Sequence, residues 1–216
     1  MHFAREGYIW ITSLGIASLF LGILDASILS GITLMLALFV AFFFRDPDRN
    51  IPSDPKYIIS PADGRVVNVE ESTRSQVVSG PGFTRVGIFL SPLNVHVNRV
   101  PISGEVMKID YVPGKYLPAF SKDAADVNEQ NILKVTDSAG REVVLVQIAG
   151  MLARRIVCRA QVGDQVVQGE RYGMIMLGSR VDIYFPVGAN LKVHVGQRVI
   201  AGETVLGEYP AGQNVE

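Results

Sequence analysis

Gly178-Ser179 is a dipeptide whose chemistry reaches the backbone itself. A glycine carbonyl has no side chain to shield it from the hydroxyl of the next residue. If the fold twists that peptide bond, Ser179 Oγ can attack Gly178 C=O and exchange the amide for an ester. A glycine in a strand-like run more commonly marks a bulge or a close backbone approach, and an isolated Gly-Ser fits either description. Other groups could join such chemistry. His96 alternates with Val95 and Val97, so it should point away from the face those valines choose. A lone histidine there more commonly caps a surface or hydrogen-bonds in a core. Asp63, ahead of Gly64, is as well placed to form a turn as to act on a reacting group. Arg154-Arg155 could hold an anion, although a paired solvated edge is the commoner explanation. Cys158 is the only cysteine, which excludes an internal disulfide and a cysteine-built metal centre and fits a reducing compartment; we expect no metal.

The elements that must position these residues are short β runs. Met174–Leu177 and Val181–Phe185 flank Gly178-Ser179, and the second alternates Val181, Ile183 and Phe185 with Arg180, Asp182 and Tyr184. Asp63-Gly64 between Tyr57–Ser60 and Arg65–Val69 predicts a hairpin. Thr84–Leu90 predicts a further strand, and Ile132–Thr136 with Glu142–Ile148 a second hairpin through Asp137–Gly140. Residues 113–131 show no period, carry Lys115, Lys122, Asp123, Asp126 and Glu129, and read as a lid, a binding loop or a disordered segment. Val162-Gly-Asp-Gln-Val-Val-Gln-Gly-Glu170 matches Val195-Gly-Gln-Arg-Val-Ile-Ala-Gly-Glu203, so an internal repeat frames the Gly178-Ser179 segment on both sides. A mainly β fold is expected. The repeats resemble the hammerheads of biotinyl and lipoyl carrier domains, which implies a β-sandwich with Gly178-Ser179 in place of the carrier lysine.

Hydrophobic residues make up 48% of the chain, and the excess is concentrated at the N-terminus. Tyr8–Leu24 and Ala26–Phe44 carry no charge, and Asp25 alone separates them. Each run approaches the length that crosses a bilayer core, too long for a signal peptide and too continuous for a soluble hairpin. We therefore expect a hydrophobic helical hairpin over 1–44, turning at Leu24-Asp25-Ala26 and either spanning the bilayer or entering one leaflet. Arg5 on one flank and Arg45, Arg49 and Lys56 on the other place both ends in the cytoplasm. Pro47, Pro52 and Pro55 keep 45–56 extended as a linker to a domain over 57–216. A net charge of −1 without a basic block argues against nucleic acid as a partner.

Six segments in order, Phe43–Arg49, Ser60–Val66, Asn94–Pro101, Asn128–Asn131, Gln147–Arg155 and Leu177–Asp182, resemble the short bacterial form of phosphatidylserine decarboxylase. The resemblance implies a membrane-bound proenzyme that cuts itself into a β chain, 1–178, and an α chain, 179–216, paired as a heterodimer that could dimerise further. It implies a pyruvoyl group made from Ser179, which forms a Schiff base with phosphatidylserine and yields phosphatidylethanolamine. Ser179, His96 and Asp63 match the family's self-processing triad. Many members carry a second histidine where Arg99 stands here, so either His96 serves both steps or another group, such as His194, replaces it. Arg180 occupies the position of a threonine in the long-form motif. Arg180, Arg154, Arg155 and Lys115 are expected to hold the substrate's phosphate or carboxylate. Two other classes compete: a membrane-tethered Ser-His-Asp hydrolase, which lacks the Gly-x-Ser-x-Gly elbow, and a carrier-like β domain without catalysis.

Overall fold

The computed structural model describes residues 2–73, 77–78, 82–119, 121, 124–151, 155–176 and 178–210. By contacts the chain divides into two compact units, Met1–Asp48 and Arg49–Glu216.

In the first unit, α1 (Arg5–Ile23) and α2 (Ser27–Phe43) run back along each other, with a two-residue pairing of β1 (His2–Phe3) and β2 (Arg45–Asp46) at their open end. The reversal falls where the charge pattern breaks, and Asp25 takes a left-handed φ of 58° there. Ser18 and Ser30 fasten the helices reciprocally, each hydroxyl donating to the other residue's carbonyl at 2.9 and 2.8 Å. These two hydroxyls are thereby turned inward, between the helices. The outer surface is instead apolar, with Ile28 81% and Met35 74% exposed, the condition of a helix that meets something other than water. Among the described residues, α1 is the helix long and apolar enough to cross a membrane, and α2 is 17 residues.

The second unit is mainly β, as its alternation predicts. Its strands are β3 (Tyr57–Ile59), β4 (Gly64–Thr73), β5 (Phe83–Leu90), β6 (Val97–Arg99), β7 (Gly104–Val112), β8 (Gln130–Thr136), β9 (Glu142–Ile148), β10 (Ile156–Cys158), β11 (Gln165–Val166), β12 (Arg171–Ile175), β13 (Ser179–Pro186), β14 (Asn190–Leu191), β15 (Arg198–Val199) and β16 (Val205–Glu208). A short helix, α3 (Ala124–Val127), interrupts the long loop. One antiparallel sheet takes the order β11-β7-β8-β9-β13-β5-β4-β15, and two three-stranded sheets, β10-β12-β6 and β14-β16-β3, complete the unit. On one face of the large sheet, Val86, Ile88, Leu90, Leu133, Leu145, Val181, Ile183 and Phe185 form the main core; on the other, Phe83, Val144, Val146, Ile148 and Tyr184 form a smaller one.

The β8–β9 hairpin forms as expected, its turn held by Asp137 Oδ1, which accepts the N–H groups of Ala139 and Arg141 at 2.9 Å each. The hairpin expected at Asp63-Gly64 does not. β3 pairs with β16 in a small sheet while β4 pairs with β5 in the large one. The turn is real, but it moves the chain between sheets instead of reversing it within one.

The internal repeat is a structural one. Gly163 and Gly196 share a φ of 91°, and their N–H groups donate to Val106 O and Val66 O at 2.8 Å each. β11 pairs beside Gly104 and β15 beside Gly64, so the two copies edge opposite ends of the same sheet. The equivalence extends to a part of the sequence not read as repetitive: Pro61-Ala-Asp-Gly64-Arg-Val66 occupies in one half the place of Pro101-Ile-Ser-Gly104-Glu-Val106 in the other. Asp63 Oδ1 accepts the Ala201 N–H at 2.8 Å, and Ser103 Oγ accepts the Gln168 N–H at 2.9 Å.

Candidate active site

The two strand runs around Gly178-Ser179 belong to different sheets. β12 lies between β10 and β6, whereas β13 lies between β9 and β5. Gly178 is therefore the crossing point between sheets and not a bulge in one strand, and it takes a left-handed φ of 67°, a conformation that favours a residue without Cβ. Ser179 opens β13 opposite Leu90. It is fully buried, and its Oγ finds no hydrogen-bond partner among the described residues. A buried hydroxyl without a partner costs about 1–3 kcal/mol, so its retention calls for an explanation other than stability.

Alternation from Val181 places Ser179 on the main-core face of β13. There a polar line runs from the large sheet to β6: Asn131 Nδ2 donates to Gln147 Oε1 at 3.0 Å, and Gln147 Nε2 donates to Asn98 Oδ1 at 2.9 Å. All three residues are buried. Gln147 stands opposite Val181, one step along the face from Ser179. Asn98 lies on β6, and His96 immediately precedes that strand. His96 is wholly buried, with its backbone carbonyl accepting the Ile175 N–H at 3.3 Å, four residues ahead of Ser179. The fold thus brings His96 to the β12 side of the crossing. Asn98, Asn131 and Gln147 went unread as site residues, although each lies within a motif segment named above; amides give little chemical signal in a sequence.

Asp63 goes elsewhere. Its carboxylate is gripped by Arg49 Nη2 at 3.0 Å to each oxygen, besides the Ala201 N–H. Side-chain exposures of 9% for Arg49 and 14% for Asp63 make this a largely buried pair. The structure does not join Asp63 to His96 by a hydrogen bond. Arg99, at the position of the second family histidine, is also buried, and its Nη1 donates to Gly169 O at 2.9 Å. A Cβ at Gly202 would lie 3.0 Å from its Cδ. Arg99 therefore packs between the two repeat turns. His194 is exposed in the turn before β15, where its N–H donates to Gln197 Oε1 at 3.2 Å.

Of the expected substrate-binding cations, Arg180 is 3% exposed and its guanidinium is occupied: Nε donates to Asp182 Oδ1 at 2.5 Å and Nη2 to Oδ2 at 3.2 Å. Arg85 binds the same carboxylate at 2.8 and 2.6 Å. A Cβ on Gly87 would lie 2.5 Å from Arg180 Nη2, so Arg180 lies flat across β5 as part of the sheet. Arg155 and Lys115 are exposed. Arg155 O accepts the Met176 N–H at 3.2 Å, close to the crossing. Lys115 pairs through its backbone with Val127 and Glu129, within the loop that meets Ala149. Arg154 lies outside the described residues. Burial pushes the Cys158 thiol up, which keeps it a poor nucleophile. Among the described residues no group of three or more His, Cys, Asp or Glu could hold a metal ion.

Comparison with known proteins shows the family. The family described as Phosphatidylserine decarboxylase matches residues 36–207. The phosphatidylserine decarboxylase proenzyme of Geotalea uraniireducens is 42% identical over 207 residues, 96% of each chain. That of Desulfotalea psychrophila is 42% identical over 205 residues, 95% of each chain. That of Syntrophus aciditrophicus is 43% identical over 207 residues, covering 95% of this chain and 97% of the relative. The chain belongs to the phosphatidylserine decarboxylase family.

Proposed function

We propose that the chain is a proenzyme that cuts itself at Gly178-Ser179 and then decarboxylates phosphatidylserine to phosphatidylethanolamine. The observation that carries the reading is the Ser179 hydroxyl, sealed from solvent and without a partner among the described residues, beside a left-handed glycine carbonyl. Ser179 Oγ attacks Gly178 C, its proton leaves, and the amide becomes an ester with a free amine on residue 179. Removal of the Ser179 Hα expels the Gly178 carboxylate and leaves a dehydroalanine. Water then replaces its nitrogen, releasing ammonia. The buried His96 is the base we assign to these proton transfers.

The product is a pyruvoyl cap on Arg180, a ketone that condenses with the substrate amine and takes up the electron pair left by departing CO₂. The residues fit such a cap: β13 stays paired with β5 and β9 on both sides of Arg180, and the Arg180–Asp182–Arg85 ion network fixes the new terminus after the cut. Intact mass of purified protein should show chains 1–178 and 179–216, the smaller with a blocked, ketone-bearing end. Borohydride added with lipid should fix the lipid amine to it. A single chain of 216 residues that this treatment leaves unmodified would refute the reading.

Residues 1–44 serve as the membrane anchor and 45–56 as the linker, with the catalytic unit on the cytoplasmic side where Arg5, Arg45 and Arg49 lie. We read the duplicated units as hammerhead-like, presenting the cut site where a carrier would present its lysine. The exposed Arg155 and Lys115 are the groups we assign to the substrate's anionic headgroup. Arg155→Gln and Lys115→Gln should each raise KM by about tenfold or more at near-constant kcat, the loss of one charge-assisted hydrogen bond. An unchanged KM in both would remove them from the site.

A further inference from the structure

The register of β9 against β13 runs Val181 opposite Gln147 and Arg180 opposite Ile148. Continued past the end of β9, it sets Ala149 against Ser179 and Gly150 against Gly178. The close approach confirms this placement: a Cβ built on Gly150 would fall on the Gly178 carbonyl oxygen, 2.8 Å from Gly178 C and 3.5 Å from Ser179 N. No flexible side chain could yield to relieve the overlap, because the three nearest atoms are backbone of the bond to be cut. The backbone leading into Gly150 is held from the other side. Glu129 O accepts the Ala149 N–H at 2.9 Å, and Asn128 Nδ2 donates to Ala149 O at 2.9 Å. Asn128 is itself 1% exposed and anchored to Leu117 through both its oxygen and its nitrogen.

We propose that Gly150 is a positioning residue for self-processing: its bare Cα, strapped down by Asn128 through Ala149, is the surface on which the Gly178 carbonyl rests as Ser179 attacks. The proposal rests on the self-cleaving reading above. A side chain at 150 must push the carbonyl away, and a displacement of about 1 Å in a reacting group costs on the order of 100-fold in rate. The effect is confined to the first step, formation of the ester, because the displaced atoms are those that Ser179 Oγ must reach.

The test compares the full-length wild type, Gly150→Ala and Asn128→Ala, each followed by intact mass with and without hydroxylamine, which cleaves an ester at Gly178 but not the amide. Wild type should split unaided. Gly150→Ala should remain whole, slowed at least about 100-fold, and hydroxylamine should release no fragment 179–216 from it. Its near- and far-UV circular dichroism should match that of Ser179→Ala, which is also unsplit but untouched at residue 150. Asn128→Ala, which keeps the glycine and loosens only the strap, should split about tenfold more slowly and be equally insensitive to hydroxylamine; it carries the test if Gly150→Ala does not fold. Splitting of either variant at the wild-type rate overturns the proposal, as does a whole Gly150→Ala chain that hydroxylamine cuts at Gly178, since the ester would then form normally. A wild type that never splits overturns the self-cleaving reading itself and the role of Gly150 with it.

Discussion

Ser179→Ala should abolish activity while leaving the protein at least as stable as before. The hydroxyl it removes is the nucleophile of the proposed cut and the source of the ketone. We expect one uncut chain, no reaction with amine-trapping reagents and no decarboxylation above background. Stability should move the other way. Ser179 is fully buried with its Oγ unpartnered among the described residues, so alanine relieves a desolvated polar group of the kind that costs about 1–3 kcal/mol. The uncut variant also keeps the covalent link that the mature enzyme has lost. Both effects raise the unfolding midpoint above that of the split protein. A variant that is still cut ahead of residue 179 would end the chemical assignment; one that is uncut but melts below the mature enzyme would show that the hydroxyl has a structural partner.

This opposition between activity and stability explains what the sequence could disclose. The strands that position the site were legible because they obey period two, as in Val181, Ile183 and Phe185 against Arg180, Asp182 and Tyr184. The apolar hairpin was legible for a similar reason, since a single charged residue between two uncharged runs leaves one place to turn. Pairing partners were not legible. Asp63-Gly64 carries the chemistry of a hairpin turn, yet the same turn feeds β3 and β4 into different sheets, because β16 and β5 offer longer-range partners. Arg180 illustrates the other limit. Its type suits an anion site, but alternation sets it on the face of β13 that also holds Asp182, and a carboxylate at i+2 takes the guanidinium before any substrate can. Charge type was readable in each case; which charge meets which was decided by the face each strand turns and by how the strands pair.

The same holds for Arg49. It stands among linker residues that suggest only a membrane-facing charge, and the fold spends it on Asp63, 14 residues on. The motif segments Phe43–Arg49 and Ser60–Val66 thereby become two halves of one ion pair. The segments Asn94–Pro101, Asn128–Asn131 and Gln147–Arg155 likewise meet, through Asn98, Asn131 and Gln147, on the sheet face that Ser179 occupies. Residues that looked like separate signatures are joined by contacts in two places, the Arg49–Asp63 ion pair and the face that Ser179 occupies.

The duplication supplies the variant that separates Asp63's two roles. In the other half of the unit Ser103 takes its place, and its hydroxyl accepts the equivalent backbone N–H. Asp63→Ser should therefore keep the turn and the Ala201 hydrogen bond while removing only the carboxylate. If that charge supports self-processing, splitting should slow by on the order of 100-fold, within the range for losing an acid–base group. The variant also strands Arg49, whose side chain is 9% exposed. Breaking one side of a largely buried pair costs about 3 kcal/mol, which should appear as a lowered unfolding midpoint when measured in the uncut Ser179→Ala background. Adding Arg49→Gln should recover most of that loss by removing the uncompensated cation, yet it cannot restore the carboxylate, so splitting stays slow. Stability and processing then separate across three variants. Wild-type splitting in Asp63→Ser would show that the residue is a turn former alone, its charge serving only to hold Arg49.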